Sequence, residues 1–443
     1  MSHINAKNAY KSLEERMNRF PQGAPPSETL YKILGILFSE NEAALVAQLP
    51  IRPFTAKTAG RVWKTDEAAA RNILDRLAAR AILIDAGEGN RRTYSLPPPM
   101  AGFIEFSMMR TRSDVDQKLL SELYHQYLNV EEDFIKDLFF SAEIRPGRAF
   151  VQEAVLSREN LTQTLDFEKA SHIIESARHI GISMCYCRHK ARHLGTACDA
   201  PMDICMTFGD CADSLIRHEF ARRVNASECM ELLREAYKNN LVQFGENVRE
   251  SPSFICNCCG CCCEALQAAR KFGMLHPVQT TAYIPRIIEY GCTGCGQCAK
   301  ACPIEAIELV AAVPSIPETN AGEMPPNTAT RKKKARINDE ICLGCGVCAR
   351  ACNNQSICME RRAEKIITPV NSVHRIVLAA IDQGKLADLV FDNRALYSHR
   401  AMAAVLSAIL RLPPVKQAMA GKQMKSVYLD RLISRFSRTA AKV

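Results

Sequence analysis

The sequence predicts an α+β protein composed of several domains, and three observations support this prediction. Its length of 443 residues corresponds to about three domains at the usual ~100–200 residues each. Apolar residues recur at helical spacing near both ends of the chain, and a cysteine-rich loop occurs twice in the second half. An apolar fraction of 47% and a charged fraction of 24% are typical of globular proteins and exclude fibrous rods and wholly disordered chains.

Residues 27–98 carry helical patterns followed by a hairpin pattern. Leu30, Ile33 and Leu37 predict a first helix, a short helical stretch follows, and Thr65 is the expected N-cap of a later helix. The run ILIDAGEGNRRTYSL then has the order strand, glycine-rich turn, strand. Helices followed by such a hairpin resemble a winged helix-turn-helix domain, and we interpret residues 27–98 in this way.

The regions on either side of this segment are interpreted from composition. Residues before Glu28 are polar and contain three prolines, which favours a loop. Residues 99–180 are expected to form a helical connector, and residues 366–443 a basic helical tail. The tail holds twelve Lys/Arg against four Asp, so it carries nearly all of the net charge of +9. The tail is therefore expected to dock an acidic redox partner, the alternative being a solvated helical face.

Cysteine is the unusual feature of the composition. The chain contains 21 cysteines, and all of them lie between Cys185 and Cys358. The N-terminus lacks the apolar core of a signal peptide, and no uncharged apolar run reaches ~18 residues, so neither secretion nor a membrane span is expected. Because a reducing cytoplasm keeps cysteines as thiols or thiolates, we interpret them as metal ligands in a cytoplasmic protein of an anaerobe.

An internal repeat with an offset of 50 residues lies within residues 280–362. CTGCGQCAKACPIEAI at 292–307 matches CLGCGVCARACNNQSI at 342–357, with the spacing Cys-x2-Cys-x2-Cys-x3-Cys in both copies. This is the ligand run of bacterial ferredoxins, in which the fourth cysteine ligates the other cluster. The segment therefore resembles a two-cluster bacterial ferredoxin with a ferredoxin-like fold. Residues 313–336 between the copies are interpreted as an exposed insertion loop.

The resemblance implies two [4Fe–4S] clusters with crossed ligand sets. The first cluster would take Cys292, Cys295, Cys298 and Cys352. The second cluster would take Cys342, Cys345, Cys348 and Cys302. In the first copy the fourth cysteine, Cys302, is followed by Pro303. In the second copy Asn353 stands at the corresponding position, and this difference removes no ligand. Zinc is the alternative metal for these loops.

A second cysteine-rich block spans residues 181–275, which we expect to be mainly helical. The candidate ligands of at least one further iron–sulfur cluster are Cys185, Cys187, Cys198, Cys205, Cys256, Cys258, Cys259, Cys261, Cys262 and Cys263. Cys256, Cys259 and Cys262 have the x2 spacing of a cluster loop, whereas Cys229 is expected in an apolar core. Structural zinc and a redox-active thiol pair are the alternatives. The neighbouring basic residues are expected to stabilise thiolates; they are Arg188, His189, Lys190, Arg192 and His193.

Taken together, these segments resemble uncharacterised ferredoxin-domain proteins of anaerobic prokaryotes, a resemblance that implies no activity. The first functional interpretation is an electron carrier, or an electron-transfer subunit of an oxidoreductase, because no nucleotide, haem or zinc-hydrolase motif is present. The alternatives are a redox-sensing DNA-binding regulator and a catalytic iron–sulfur reductase. Asp66 and Glu67 at the start of the presumed recognition helix disfavour DNA, because they would repel phosphate and have a structural role as helix caps.

Overall fold

A computed structural model describes residues 2–272, 276–288, 291–311, 333–364, 366–392 and 397–410 of the chain. Within these residues the strands form four sheets, and the largest sheet underlies the cysteine-rich block. One buried core extends from Leu13 near the N-terminus to Val347 in the second cysteine repeat. The N-terminal helices, the large sheet and the repeat are therefore packed against one another.

The N-terminal region contains helices and a small antiparallel sheet. In chain order its elements are α1 Ser2–Asn18, α2 Glu28–Leu37, α3 Glu40–Ala47, β1 Phe54–Thr55, α4 Ala56–Trp63, α5 Glu67–Ala78, β2 Ile84–Ala86 and β3 Thr93–Ser95. The sheet order is β1–β3–β2, with both pairs antiparallel. The helices and the hairpin thus follow the order that the sequence predicts.

Two local expectations for this region are wrong. Residues before Glu28 are not a loop, because they include helix α1, whose Leu13 and Met17 are buried in the main core. Thr65 is not the cap of α5. Asp66 has this role, since its carboxylate accepts a 2.8 Å hydrogen bond from the backbone N–H of Ala69.

The middle region is built on a six-stranded antiparallel sheet with the order β4–β8–β9–β6–β5–β7. Its elements are α6 Ile104–Phe106, α7 Gln117–His125, α8 Asp133–Phe140, β4 Gly147–Ala149, α9 Arg158–Gln163, α10 Ala170–Ser176, β5 Ile180–Met184, α11 Tyr186–His193, β6 Asp203–Phe208, α12 Gly209–Arg217, β7 Arg222–Arg223, α13 Ala226–Lys238, β8 Val242–Glu246, β9 Phe254–Cys258 and α14 Glu264–Phe272. The expectation of a mainly helical cysteine block is therefore wrong. Strands β5, β6 and β8 are buried on both faces, so they lack the apolar–polar alternation that reveals a strand in sequence.

A buried carboxylate joins the N-terminal sheet to the large sheet unit. Asp85 of β2 is fully buried, accepts a 2.7 Å hydrogen bond from the Ser214 hydroxyl and pairs with Arg217, both on α12. Its Oδ1 lies 3.1 Å from Nε2 of His218. Burial raises the pKa of Asp85, but the hydrogen bonds from His218 and Ser214 and the charge of Arg217 outweigh it and hold that pKa well below its usual range.

The cysteine repeat forms two small antiparallel sheets. Its elements are β10 Tyr283–Ile287, α15 Gln297–Ala301, β11 Ile307–Ala311, β12 Lys333–Ile337, α16 Val347–Arg350 and β13 Ile357–Arg361. Strand β10 pairs with β13, and β11 pairs with β12, so each two-stranded sheet joins one strand of the first copy to one strand of the second. Each copy thus contributes a cysteine loop, a short helix and flanking strands. Residues 313–332 of the predicted insertion loop lie outside the described residues, whereas its last four residues, 333–336, are not loop but belong to strand β12.

The described part of the C-terminal region is helical, as the sequence predicts. It contains α17 Ser372–Asp382, α18 Leu386–Val390 and α19 Tyr397–Leu410. Arg375 on α17 forms a 3.0 Å ion pair with Glu246 on the large sheet, which fixes this helix to the body. Residues 411–443, with the expected break at Pro413 and Pro414, lie outside the described residues. Among the helices that are described, none has the length and apolarity needed to cross a membrane.

Candidate metal centres

Each of the two cysteine loops of the repeat contains a glycine, two residues after its first cysteine, whose replacement would strain the backbone. Gly294 and Gly344 adopt left-handed φ angles of +71° and +72°. A Cβ atom at Gly294 would lie 1.8 Å from the carbonyl oxygen of Lys333, and one at Gly344 would lie 2.0 Å from that of Tyr283. Both loops therefore need the conformational freedom and the small size of glycine to lie against the neighbouring strand.

The repeat brings its eight cysteines together as two sets of four. Cys292, Cys295, Cys298 and Cys352 line one cavity. Cys302, Cys342, Cys345 and Cys348 line the other. Each cavity has a volume of about 20 Å³. The fourth cysteine of each copy faces the other copy's loop, which is the crossed arrangement that the spacing predicts.

The fourth cysteine of each copy accepts a hydrogen bond from the backbone. Backbone N–H groups of Ala306 and Ser356 donate to the Sγ atoms of Cys302 and Cys352 at 3.2 and 3.3 Å. Burial raises the pKa of Cys345 to about 12. A buried thiol with such a pKa needs a bound cation to lose its proton at neutral pH, and backbone N–H donors then stabilise the thiolate. These donor sets therefore suit a metal–sulfur cluster.

In the 181–275 block, six of the candidate cysteines form a closed ring of neighbouring thiols. In ring order they are Cys185, Cys187, Cys263, Cys258, Cys256 and Cys205. Each thiol affects the pKa of the next, the last affects the first, and the side chains of all six line one cavity. We call this group the six-cysteine ring.

The strand pairing explains how distant cysteines meet in the six-cysteine ring. Cys256 and Cys258 are two residues apart on β9 and so point to the same face of the sheet. The β6–β9 register pairs Met206 with Ile255, which makes Cys205 the cross-strand neighbour of Cys256. The other three cysteines lie at helix starts, two at the start of α11 and one just before α14.

The remaining four candidate cysteines form a separate group, which we call the four-cysteine site. They are Cys198, Cys259, Cys261 and Cys262, and their Sγ atoms all lie within 4.8 Å of one another. The Cys198–Cys259, Cys261–Cys262 and Cys198–Cys262 sulfur distances are 3.6, 3.7 and 3.9 Å. The x2 spacing of Cys256, Cys259 and Cys262 suggests that they share one cluster loop. This expectation is wrong, because only Cys259 and Cys262 belong to the four-cysteine site. Strand β9 ends at Cys258, and the turn that follows directs the next cysteines to the other site.

Arg188 is the basic residue that lies between the two groups. Its side chain is buried, with Nη1 3.6 Å from the sulfur of Cys259 and Nη2 donating to the carbonyl oxygen of Asn257 at 3.0 Å. Burial lowers the pKa of Arg188, but its electrostatic interactions with the neighbouring cysteines, with Cys185 first, outweigh burial and raise that pKa. The expectation that Arg188 stabilises thiolates agrees with this geometry.

The other basic residues of the motif serve different purposes. Lys190 forms a buried ion pair with Glu264, which follows the last ring cysteine. His189 is buried, with its Nδ1 2.7 Å from the carbonyl oxygen of Met108, and it packs against His193 at a ring distance of 4.8 Å. Arg192 is exposed. These contacts fasten helix α11 in place, so their role is to position the thiols that it carries.

A cavity of about 320 Å³ adjoins the six-cysteine ring. Sequence reasoning did not identify Glu105, whose carboxylate lines this cavity; burial, together with the charge of Cys256, raises its pKa well above the usual range. A carboxylate inside the apolar run GFIEFSMM was the available signal. Cys211 also lines the cavity outside the ring, and burial raises its pKa to about 12.

Two cysteines lie apart from every group described above. Cys229 is fully buried in an apolar cluster, as the sequence predicts, and burial raises its pKa to about 12. Cys358 lies on β13 opposite Arg286, outside both sets of the repeat. Both residues are therefore suitable control positions for substitutions of the grouped cysteines.

The four-cysteine site lies directly against the cysteine repeat. A Cβ atom at Gly260 would lie 2.4 Å from the carbonyl oxygen of Pro303, the residue after Cys302. Arg270 donates to the carbonyl oxygen of Gly260 at 2.7 Å and pairs with Glu305 of the repeat at 2.9 Å. Cys302 and three cysteines of the four-cysteine site line a common groove. The groups are therefore contiguous, in the order repeat, four-cysteine site, six-cysteine ring.

Comparison with known protein families identifies the repeat. Residues 291–356 match the family described as the 4Fe-4S dicluster domain. No curated protein and no solved structure matches the chain significantly. The matched residues contain all eight cysteines of the two crossed sets. The chain therefore contains a ferredoxin-like 4Fe-4S dicluster domain, which indicates cluster binding and iron–sulfur electron transfer.

Proposed function

We propose that the protein moves single electrons to or from a redox partner through at least three iron–sulfur clusters. The observation that carries this proposal is the crossed grouping of the eight repeat cysteines around two cavities, inside a segment that matches a dicluster domain. The ligands of the first [4Fe–4S] cluster would be Cys292, Cys295, Cys298 and Cys352. The ligands of the second would be Cys302, Cys342, Cys345 and Cys348. Such clusters exchange one electron at a potential set by charge, hydrogen bonds and solvent exposure.

The four-cysteine site would hold the third cluster. Four thiols in mutual contact match the ligand number of a [4Fe–4S] cluster, and their groove continues to Cys302 of the repeat. Zinc has the same ligand number, and sulfur separations of 3.6–3.9 Å correspond to a tetrahedral zinc ion with Zn–S bonds of about 2.3 Å, so analysis of iron and zinc must decide between the two occupants. The buried Arg188 beside Cys259 supports the cluster, because a cation there offsets the negative charge that the site gains on reduction.

The chain's own residues would hold and insulate these centres. Backbone N–H groups donate to sulfur, the left-handed glycines let the loops approach closely, and the packed sheets exclude water. The partner would be a redox protein or an oxidoreductase complex. An acidic docking partner is proposed from the sequence alone, because residues 366–443 carry twelve Lys/Arg against four Asp, and nine of those basic residues lie outside the described residues.

We further propose a winged-helix fold for residues 27–98, supported by the order of elements and by the β1–β3–β2 sheet. The contacts weigh against duplex binding by this region. Arg71 donates to the carbonyl oxygen of Gly89 and pairs with Glu67, while Arg92 pairs with Asp75 and Asp85. These cations are already engaged within the protein. A salt-sensitive band shift on a specific duplex, lost on removal of residues 1–98, would favour the regulator instead.

The test is a pair of single substitutions in anaerobically purified full-length protein. Cys295→Ser should remove about four irons per chain and one [4Fe–4S] EPR signal, because each cluster needs four ligands. Cys358→Ser, a substitution of the same type outside both sets, should remove none. Equal iron content in wild type and Cys295→Ser, or zinc in place of iron, would refute the proposal.

A further inference from the structure

We propose that the six-cysteine ring holds a metal–sulfur centre of its own, with more than four irons, and that a small, mainly apolar molecule binds at its face in the adjoining cavity. This inference rests on the proposed function for its supply of electrons. The six-cysteine ring would then be a redox centre that binds a ligand. It is the last group in the order repeat, four-cysteine site, six-cysteine ring, and it would receive electrons from the clusters of the other two.

The first step is that the six-cysteine ring and the four-cysteine site do not share ligands. Cys258 and Cys259 are adjacent in sequence, yet Cys258 contacts ring thiols whereas Cys259 contacts Cys198. Cys262 and Cys263 are divided in the same way. All ten cysteines are therefore assigned, six to one centre and four to the other, and no cysteine is left to bridge them as a common ligand.

The second step concerns the size of the centre. A [4Fe–4S] cluster takes one terminal thiolate per iron and is complete with four. Six thiols in a closed ring exceed this number by two; four of the six cysteines are buried, and Cys187 and Cys256 are partly buried. A centre with more than four irons uses every thiol, whereas a cubane cluster would leave two buried thiols without a ligand role.

The third step concerns the space beside the ring. The cavity measures about 320 Å³, against about 20 Å³ for each cavity enclosed by the repeat cysteines. The ring thiols line this space, which is therefore larger than the space at either set of repeat cysteines and would hold the centre together with a ligand. A volume near 300 Å³ is at the lower end of the range for small-molecule sites.

The cavity lining indicates the class of ligand. Most of the surface is contributed by apolar side chains, among them Met100, Phe106, Met109, Phe139 and Val278. Nine polar or charged side chains contribute the smaller part of the surface, and Glu105 and Arg188 are the ones discussed above beside the thiols. Such a lining suits a small, mostly apolar molecule with one polar group. A structural zinc site, in contrast, is closed by its ligands and borders no cavity.

The stoichiometry test uses full-length protein purified without oxygen, with iron, zinc and acid-labile sulfide measured on the same sample. Wild type should contain more than about sixteen irons per chain, since the repeat and the four-cysteine site account for about twelve. Cys256→Ser should lose more than four irons. Cys211→Ser, which alters a thiol on the same cavity outside the ring, should lose none.

The outcomes separate this inference from the proposed function. About sixteen irons or fewer in wild type, a loss of four irons or fewer in Cys256→Ser, or a loss of two zinc ions would overturn the six-cysteine centre. Failure of Cys295→Ser to lose iron would instead overturn the proposed function. If Cys256→Ser lacks the ferredoxin EPR signals, it has not folded, and Cys187→Ser on the opposite side of the ring replaces it. If neither variant folds, the iron content of the wild type decides alone.

Ligand access is tested with carbon monoxide as the probe. Added to reduced protein, it should change the EPR signal that Cys256→Ser lacks and leave unchanged the signals that Cys295→Ser and Cys261→Ser lack. Carbon monoxide that changes no signal, or that changes the ferredoxin signals equally, would show that the cavity gives no special access to the ring.

Discussion

The charge of Arg188 should set the reduction potential of the cluster in the four-cysteine site. Replacing Arg188 by Gln removes a buried cation whose Nη1 atom lies 3.6 Å from the sulfur of Cys259. Reduction adds a negative charge to the site, and a nearby cation stabilises the reduced form more than the oxidised one. The variant should therefore have a lower potential.

The magnitude follows from Coulomb's law. With roughly 6 Å between the guanidinium and the nearest iron, and an effective dielectric constant of about 20, the interaction of one charge with one electron is about 3 kcal/mol. A tenfold change in an equilibrium corresponds to about 1.4 kcal/mol and, for one electron, to about 59 mV. We therefore expect the Arg188→Gln potential to fall by roughly 100 mV.

The assay is an anaerobic redox titration followed by EPR, on the signal that Cys261→Ser lacks. Arg188→Lys keeps the charge and should recover most of the potential, while Arg192→Gln, on the exposed side of the same helix, should change it little because solvent screens its charge. A shift below about 20 mV, or an upward shift, in Arg188→Gln would refute the assignment of Arg188 to this centre.

Two further substitutions test the fold and the repeat. Asp85→Asn should lower the free energy of unfolding by about 3 kcal/mol, measured with urea, because it leaves cations around a neutral group. The folded-state pKa of Asp85 is lowered, so the difference in unfolding free energy between variant and wild type should be complete above about pH 4 and should disappear as the pH falls through that folded pKa. The control Glu88→Gln changes an exposed side chain and should have little effect on the unfolding free energy at any pH. An equal loss in both variants, or a pH-independent one, would contradict this account. Gly294→Ala should lose about four irons, because its Cβ would collide with the carbonyl oxygen of Lys333, whereas Gly384→Ala, with a similar φ of +70° and open space, should retain them.

The crossed cysteine sets could be predicted from the sequence because ligand spacing is local. Each loop carries three ligands within seven residues, and the resemblance to two-cluster ferredoxins implies the exchange of the fourth. The helices of the N-terminal region could be predicted for a similar reason, since the periodicity of residues such as Leu30 and Leu34 reports burial of one helical face. Helix α1 was missed because its burial depends on distant partners.

The division of the second cysteine block could not be predicted, because it depends on long-range pairing. Cys205 meets Cys256 only when β6 and β9 are neighbours, and these strands are more than 45 residues apart. Strands that are buried on both faces have no alternation of apolar and polar residues, so the sequence pattern does not indicate this sheet. The contribution of Glu105 was equally hidden, because the cavity that it lines includes residues from both ends of the chain, from Phe20 to Ile376.

The central claim, electron transfer through protein-bound iron–sulfur clusters, is tested most directly by metal and sulfide analysis of the full-length protein purified without oxygen, combined with EPR of the reduced sample. We expect at least about eight irons per chain with a similar amount of acid-labile sulfide, and [4Fe–4S] signals that appear on one-electron reduction. Zinc in place of iron, or iron without labile sulfide and without these signals, would contradict the claim.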